Sequence, residues 1–484
     1  MRFNFKIIVS IVGLLLIING LFMLLCLPFS IYFGESDWKA LLVAGILTYI
    51  VGFVCWFRYK DSKNKELKKR DGYIIVTLGW LTMSAFGALP YIFSGAIPNY
   101  TDAFFETISG YSTTGASILT DIESVHKGIL FWRSLTQWIG GMGIIVLTVA
   151  ILPFLGIGGM QLFVAEAPGI TPDKLKPRIQ ATAKRLWLVY LGITALECIL
   201  LMLGNMTFYD ALNHSLTTMA TGGFSTKNTS AADFSPYVQY IITFFMFLAG
   251  TSFTLNYFAF KGKFKQIWHN EEFRYYLGGI LVFTAIVALT VFLVTDQSFE
   301  KAFRDTIFQI VSIITTTGYV SADYTQWTPF LTLLFFVFMF IGGSAGSTAG
   351  GVKIVRHIIL LKNSALELKR QLHPSAVIPV RFNNKAVSQN ITYNVLAFIM
   401  IYVFIFAAGA ILIALCGVDF MTSIGAVATC LGNVGPGLGE VGPVNNFAAL
   451  PGITKWILAF FMLLGRLELF TVLMLFSPFF WKKV

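Results

Sequence analysis

The stretch SGYSTTGAS, Ser109 to Ser117, decides the fold, because three other stretches repeat its pattern. They are MATGGFS (Met219 to Ser225), ITTTGYVS (Ile314 to Ser321) and CLGNVGPG (Cys430 to Gly437). Each is a run of small and hydroxyl residues around a glycine, set between strongly apolar segments. With Gly115, Gly223, Gly318 and Gly435 taken as equivalent, the unit recurs roughly every hundred residues. Apolar helix, polar re-entrant loop, apolar helix is what a pore needs when one chain must supply all four of its quarters.

The residues upstream support this register. Fifteen positions before the glycines stand Tyr100, Phe208, Phe303 and Phe420, although aromatics are only 15% of the chain. Thirteen before stand Asp102, Asp210, Asp305 and Thr422, each able to cap a helix start. Twelve before, all four residues are small: Ala103, Ala211, Thr306 and Ser423. The pattern predicts a short capped helix ending at each glycine. The plainer alternative, that TTTG-like strings are small-residue surfaces for helix packing, would suffice for one string and does not account for four with aligned upstream residues.

Composition bounds the class. Apolar residues make up 56% of the chain and charged residues 12%, with a mean hydropathy of +0.73. Soluble domains carry about 25% charged residues, so the chain is expected to be an all-α polytopic membrane protein. Its four helix–pore-loop–helix repeats would surround a central pore, beside an N-terminal two-helix hairpin. Apolar segments long enough to span lie near 7–33, 38–58, 72–97, 129–155, 186–207, 237–260, 275–295, 328–360, 391–416 and 452–480. Their even number puts both termini on one side. The expected units are 1–71 (hairpin and basic linker), 72–179, 180–274, 275–389 and 390–484.

The net charge of +11 could suggest nucleic acid, but its placement argues for a bilayer. Basic residues crowd alternate loops: Arg58 to Arg70, Lys174 to Arg185, Lys261 to Arg274 and Lys353 to Lys385, with Arg2, Lys6, Lys482 and Lys483 at the ends. The positive-inside rule makes these cytoplasmic, both termini included. All four glycine loops then fall on the outer side. Lys127, Lys227 and Lys455 are sparse exceptions. The five cysteines show neither metal spacing nor a disulfide framework, and the apolar N-terminus reads as a retained span rather than a cleaved signal.

A cation crossing about 30 Å of hydrocarbon must keep oxygen ligands around it. Backbone carbonyls of an extended loop can supply them, with glycine where a Cβ would crowd the path. Candidate carbonyls come from Thr113, Thr114 and Gly115; Thr221, Gly222 and Gly223; Thr316, Thr317 and Gly318; and Asn433, Val434 and Gly435. No carboxylate lies in these strings, which suits a monovalent ion better than a divalent one. Choosing Gly223 over Gly222 is a choice of register.

One segment breaks the repeat. Gly342, Gly343, Ser344, Ala345, Gly346, Ser347, Thr348, Ala349, Gly350 and Gly351 cannot continue a lipid-facing helix, since each glycine weakens it by about 1 kcal/mol. Bare backbone at membrane depth survives only where protein or water covers it, so the segment should interrupt the helix and lie in the pore below the loops. A phosphate-binding loop would need GxxxxGK[ST], which is absent. The last span carries Arg466 and Glu468, and two readings stay open for Arg466: pairing with a nearby acid for structure, or raising the barrier to cations below the loops. Glu106 and Glu197 read as structural, and His214 as a packing residue. Nothing supports an enzyme: no nucleophile elbow, zinc motif or nucleotide fingerprint is present.

STTGAS, ATGGFST, TTTGY, IGGSAGSTAGG, NVGPGLG and LLGRLELF, together with the N-terminal hairpin, resemble the Trk/Ktr/HKT superfamily of potassium transporters, and within it the TrkH-type bacterial branch. The resemblance covers essentially the whole chain. It implies potassium (K+) uptake across the bacterial inner membrane, a homodimer with one pore per subunit, and a TrkA-type cytosolic nucleotide-binding partner, with no organic cofactor in this chain. It also implies that Gly342 to Gly351 form a gating loop and that Arg466 is a pore arginine. The fourth loop departs from the hydroxyl pattern, with Asn433, Val434 and Pro436 around its glycine. A K+/H+ or K+/Na+ symporter of the same architecture is the alternative; a non-conducting receptor or scaffold is the third class.

Overall fold

The computed structural model describes residues 4–59, 69–146, 176–373 and 378–482. The chain opens with a hairpin of α1 (Phe5–Leu24), α2 (Leu27–Tyr32) and α3 (Trp38–Tyr59). Glycines set its close packing. A Cβ added to Gly13 or Gly52 would come within 2.7 Å of the other's carbonyl oxygen, and Gly20 meets Gly45 in the same way. Close backbone approach through small residues is how helices associate where lipid removes the hydrophobic drive.

Four repeats follow around a common centre. The first has α4 (Lys69–Gly87), α5 (Leu89–Phe93), the short α6 (Tyr100–Tyr111) and α7 (Lys127–Val146). The second has α8 (Lys176–Leu203), the short α9 (Phe208–Met219), α10 (Pro236–Gly250) and α11 (Phe253–Phe260). A connector, α12 (Phe264–His269), leads to α13 (Glu271–Val294), the short α14 (Phe299–Ile314), α15 (Pro329–Phe338) and α16 (Ile354–Leu372). A two-strand turn pairs β1 (Arg381–Phe382) with β2 (Lys385–Ala386). The fourth repeat has α17 (Gln389–Leu415), the short α18 (Phe420–Gly432), α19 (Gly452–Arg466), α20 (Phe470–Phe476) and α21 (Pro478–Trp481).

The short helices form where the repeat predicts, with three corrections. Three start at the expected aromatic, but α14 starts at Phe299 rather than Phe303. The caps are Asn99, Thr207, Ser298 and Asp419, each accepting a backbone N–H from the first turn. Asp102, Asp210 and Thr422 lie at the third helical position, where an acid complements the helix dipole instead, and Asp305 lies inside its helix. The helices also stop before the glycines, at Tyr111, Met219, Ile314 and Gly432.

Some of the expected spans are bent or interrupted. Among the described residues six helices, some joined across a slight break, are continuous and apolar enough to cross a bilayer. The segments at 237–260 and 452–480 instead bend by 112° and 119°. The 328–360 segment is interrupted after Phe338, as its glycines predict. Residues 147–155 of another expected span, 60–68 of the basic linker, Lys174, Arg2 and Lys483 lie outside the described residues.

Candidate functional site

Each short helix ends in the same turn. Thr113, Thr221, Thr316 and Asn433 take left-handed conformations, with φ of 53°, 54°, 55° and 54°. The amide of the following residue then reaches back five positions: Thr114 to Ser109 O, Gly222 to Thr217 O, Thr317 to Ser312 O and Val434 to Thr429 O, all at 2.8–2.9 Å. This is a Schellman ending, which glycine normally serves. A threonine there is strained, and strain repeated at equivalent positions marks function rather than accident. Asparagine tolerates the left-handed region better than threonine, which accounts for Asn433 in the fourth loop.

Two residues after each strained position the glycine also has positive φ: Gly115 80°, Gly223 76°, Gly318 81° and Gly435 103°. The register is thereby settled: Gly223 is the equivalent glycine, and Gly222 takes the place of Thr114, Thr317 and Val434.

The four loops close into a ring. A Cβ on Gly115 would collide with Gly222 O, one on Gly223 with Thr317 O, and one on Gly318 with Val434 O. One on Gly435 would lie 2.7 Å from Thr114 O. Each glycine thus packs on the carbonyl just before the next repeat's glycine, in the order one, two, three, four, one. Side chains reinforce the ring. Asn433 Nδ2 donates to Thr114 Oγ1 at 3.0 Å and to Met462 O at 2.9 Å. Thr113 Oγ1 and Asn433 Oδ1 are buried without a partner among the described residues.

On one side the glycines floor an open cavity of about 150 Å³, lined also by Ser117, Asn228 and Asn446. Beneath the ring runs the chain from Ile341 to Lys353. Ser344 N donates to Gly250 O at 2.9 Å, and Phe253 N donates to Gly346 O at 3.0 Å, at the bend between α10 and α11. Glu272 Oε1 accepts from Ala345 N and Val355 N. Thr348 Oγ1 donates to Met219 O at 3.0 Å, and Gly350 N donates to Thr316 Oγ1 at 2.6 Å. A Cβ on Gly350 would press on Asn433 and Gly432 O. The segment is therefore in contact with the undersides of three repeats.

Arg466, only 2% exposed, reaches this segment from α19. Its guanidinium donates to Thr348 O at 2.7 Å and to Gly140 O at 2.9 Å, and Nε has no partner among the described residues. Among the described residues it forms no ion pair. Glu468 pairs with Arg356 instead, at 2.5 Å. Gly140 is itself pressed on Tyr111 O, and Gly141 on Ala220, so these two glycines serve close packing.

Several supports were not singled out by sequence. Gln137 Nε2 donates to Gly222 O at 2.6 Å while its Oε1 accepts from Phe224 N at 3.1 Å, clamping the second loop. Arg133 joins Glu106 at 2.7 Å and donates to Ser225 O at 3.0 Å, while Glu106 accepts from Ser117 Oγ and Ile118 N. Polar residues inside the apolar run FWRSLTQWIGG were the available signal. His214 bridges Asp210 O and Ser225 Oγ, which fits its expected packing role.

The family model of TrkH, described as a cation transport protein, matches residues 38–483. The chain is 41% identical over 488 residues to the Trk system potassium uptake protein TrkH of Salmonella typhimurium, covering 99% of this chain and 100% of that one. It is 33% identical to the Trk system potassium uptake protein TrkG of Escherichia coli, over 99% of both chains. The crystal structure of the potassium transporter TrkH from Vibrio parahaemolyticus superposes with a TM-score of 0.91 at 37% identity, covering 99% of this chain and 100% of that one.

Proposed function

The chain belongs to the TrkH family of cation transport proteins, and we propose that it takes up potassium across a bacterial inner membrane through the ring of four loops. The observation that carries this is the closed glycine-to-carbonyl order around one centre. Four left-handed turns bring main-chain oxygens together without a formal charge, which suits a dehydrated monovalent cation. The relatives are named for potassium uptake.

On this reading the candidate carbonyls of all four loops, from Thr113 through Gly435, select the ion. Segment 342–351 obstructs the path below them, with Arg466 adding an uncompensated charge that opposes a passing cation. Displacing the segment opens the path. The relatives belong to a "Trk system", in keeping with a TrkA-type cytosolic subunit acting on cytoplasmic loops of a homodimer, with both termini cytoplasmic. The unit boundaries at 71, 179, 274 and 389 belong to the same proposal.

Rubidium uptake by reconstituted vesicles under imposed gradients tests it. Uptake should follow the potassium gradient alone. A dependence on the proton or sodium gradient would replace the channel-like reading with coupled symport, and absence of flux would overturn both.

A further inference from the structure

Among the buried acids of this chain, Glu106, Glu272 and Glu468 have partners. Glu197, near the C-terminal end of α8, is completely buried, and neither carboxylate oxygen has a well-aligned hydrogen-bond partner among the described residues, although the Thr218 hydroxyl lies beside it. A bare carboxylate in a membrane interior costs far more than the helix that carries it can offset. It makes no ion pair among the described residues. The groups that face it are Thr218 of α9, Tyr190 and Cys198 of its own helix, and Tyr319 of the third loop.

Thr218 is where the loop network begins. Its Oγ1 donates to His214 O at 2.7 Å, which leaves its lone pairs open to a donor. The Tyr319 hydroxyl lies 3.5 Å from Thr218 Oγ1, bonds to Thr217 Oγ1 and donates to His214 O at 3.3 Å. Tyr319 directly follows Gly318, and its carbonyl accepts from Ser312 Oγ at 2.7 Å. The third loop thus leans on the second repeat's short helix through a hydroxyl cluster. Ala116, Phe224 and Pro436 at the equivalent places have no hydroxyl to do so.

We propose that Glu197 is a positioning residue that keeps its proton and donates it to Thr218 Oγ1, so holding the hydroxyl cluster that fixes Tyr319 and the third loop. A protonated acid fits the open lone pair of Thr218. An ionised one would have to pull the threonine proton away from His214 O and would loosen the end of α9. Glu197 never touches the ion; it acts through Tyr319. The inference rests on the transport reading above for its effect on selectivity, but not for its protonation.

Two measurements on the full-length protein in vesicles separate these. Infrared difference spectra of wild type against E197Q at neutral pH should show the carbonyl band of a protonated carboxyl, lost in the variant; absence of that band overturns the proposal whatever the transport result. For transport, E197Q keeps a neutral donor and should discriminate potassium from sodium within about twofold of wild type. E197L should lose about tenfold, and Y319F should lose a similar amount. Wild-type discrimination in a folded E197L, or equal losses in E197Q and E197L, would overturn it. No potassium flux in wild type with the infrared band present would sink the transport reading alone.

Discussion

The ring of loops and the segment beneath it are made of the same glycine, serine, threonine and alanine, yet they are held differently. In the ring, every loop has a left-handed residue at the same place, the same backbone bond back to its short helix and the same contact with its neighbour. Residues 341–353 share none of this regularity. They hang on single bonds to Gly250, Glu272, Met219, Thr316 and Arg466, drawn from several repeats. A repeated, closed set of contacts cannot shift one member without disturbing the rest. A set of unlike contacts can be released together by moving one of the elements that supplies them.

The sharpest way to break this comparison is in the ring. Gly318→Ser places a Cβ where Val434 O already is, so sodium should gain access by at least about tenfold in vesicle competition assays. Unchanged selectivity would deny the ring its role. Next comes the segment. Arg466→Ala removes the bonds to Thr348 O and Gly140 O along with the buried charge, and basal rubidium flux should rise several-fold, by roughly 1–2 kcal/mol of barrier. A fall in flux with intact folding would make the arginine purely structural.

Gln137→Ala sharpens the contrast by loosening one loop only. It strips the clamp from Gly222 O and Phe224 N, so selectivity should weaken by about threefold, less than for the glycine, since a net hydrogen bond contributes about 1 kcal/mol. The smallest effect belongs to a cap. Asp419→Ala removes the acceptor for Thr422 N at 3.0 Å, and thermal unfolding should shift down by a few degrees with selectivity unchanged. Thr422 holds the Asp419 carboxyl below its usual range. Its stabilisation is therefore present above the ordinary carboxylate pKa and is lost as the pH falls through the lowered one. The wild-type melting temperature should drop there and the variant's should not.

The sequence displayed the half of the molecule that carries the loops well and the opposite half poorly, for physical reasons. A selected turn demands particular residues, so Gly115, Gly223, Gly318 and Gly435 could be aligned, and the interruption after Phe338 could be read from its glycines. Helix caps were placed too far along because an acid at the third position serves the dipole and looks like a cap. The bend between α19 and α20 was not visible at all. It is made by Glu468 and Leu469 with φ of 53° each, a conformation that neither residue type favours. Tertiary contacts impose it, the Arg356 pair among them. Gln137 and Tyr319 were missed for a related reason: a lone polar side chain in an apolar helix, or a tyrosine after a glycine, does not reveal which distant carbonyl or hydroxyl it will find.

The circular order of the loops bears on how the protein is made. Gly318 closes on Val434, and Gly435 closes on Thr114, so the fourth loop, translated after the other three, supplies the missing arc. A nascent chain inserted only as far as α17 has an unclosed horseshoe, with two of the four loop-to-loop contacts still missing.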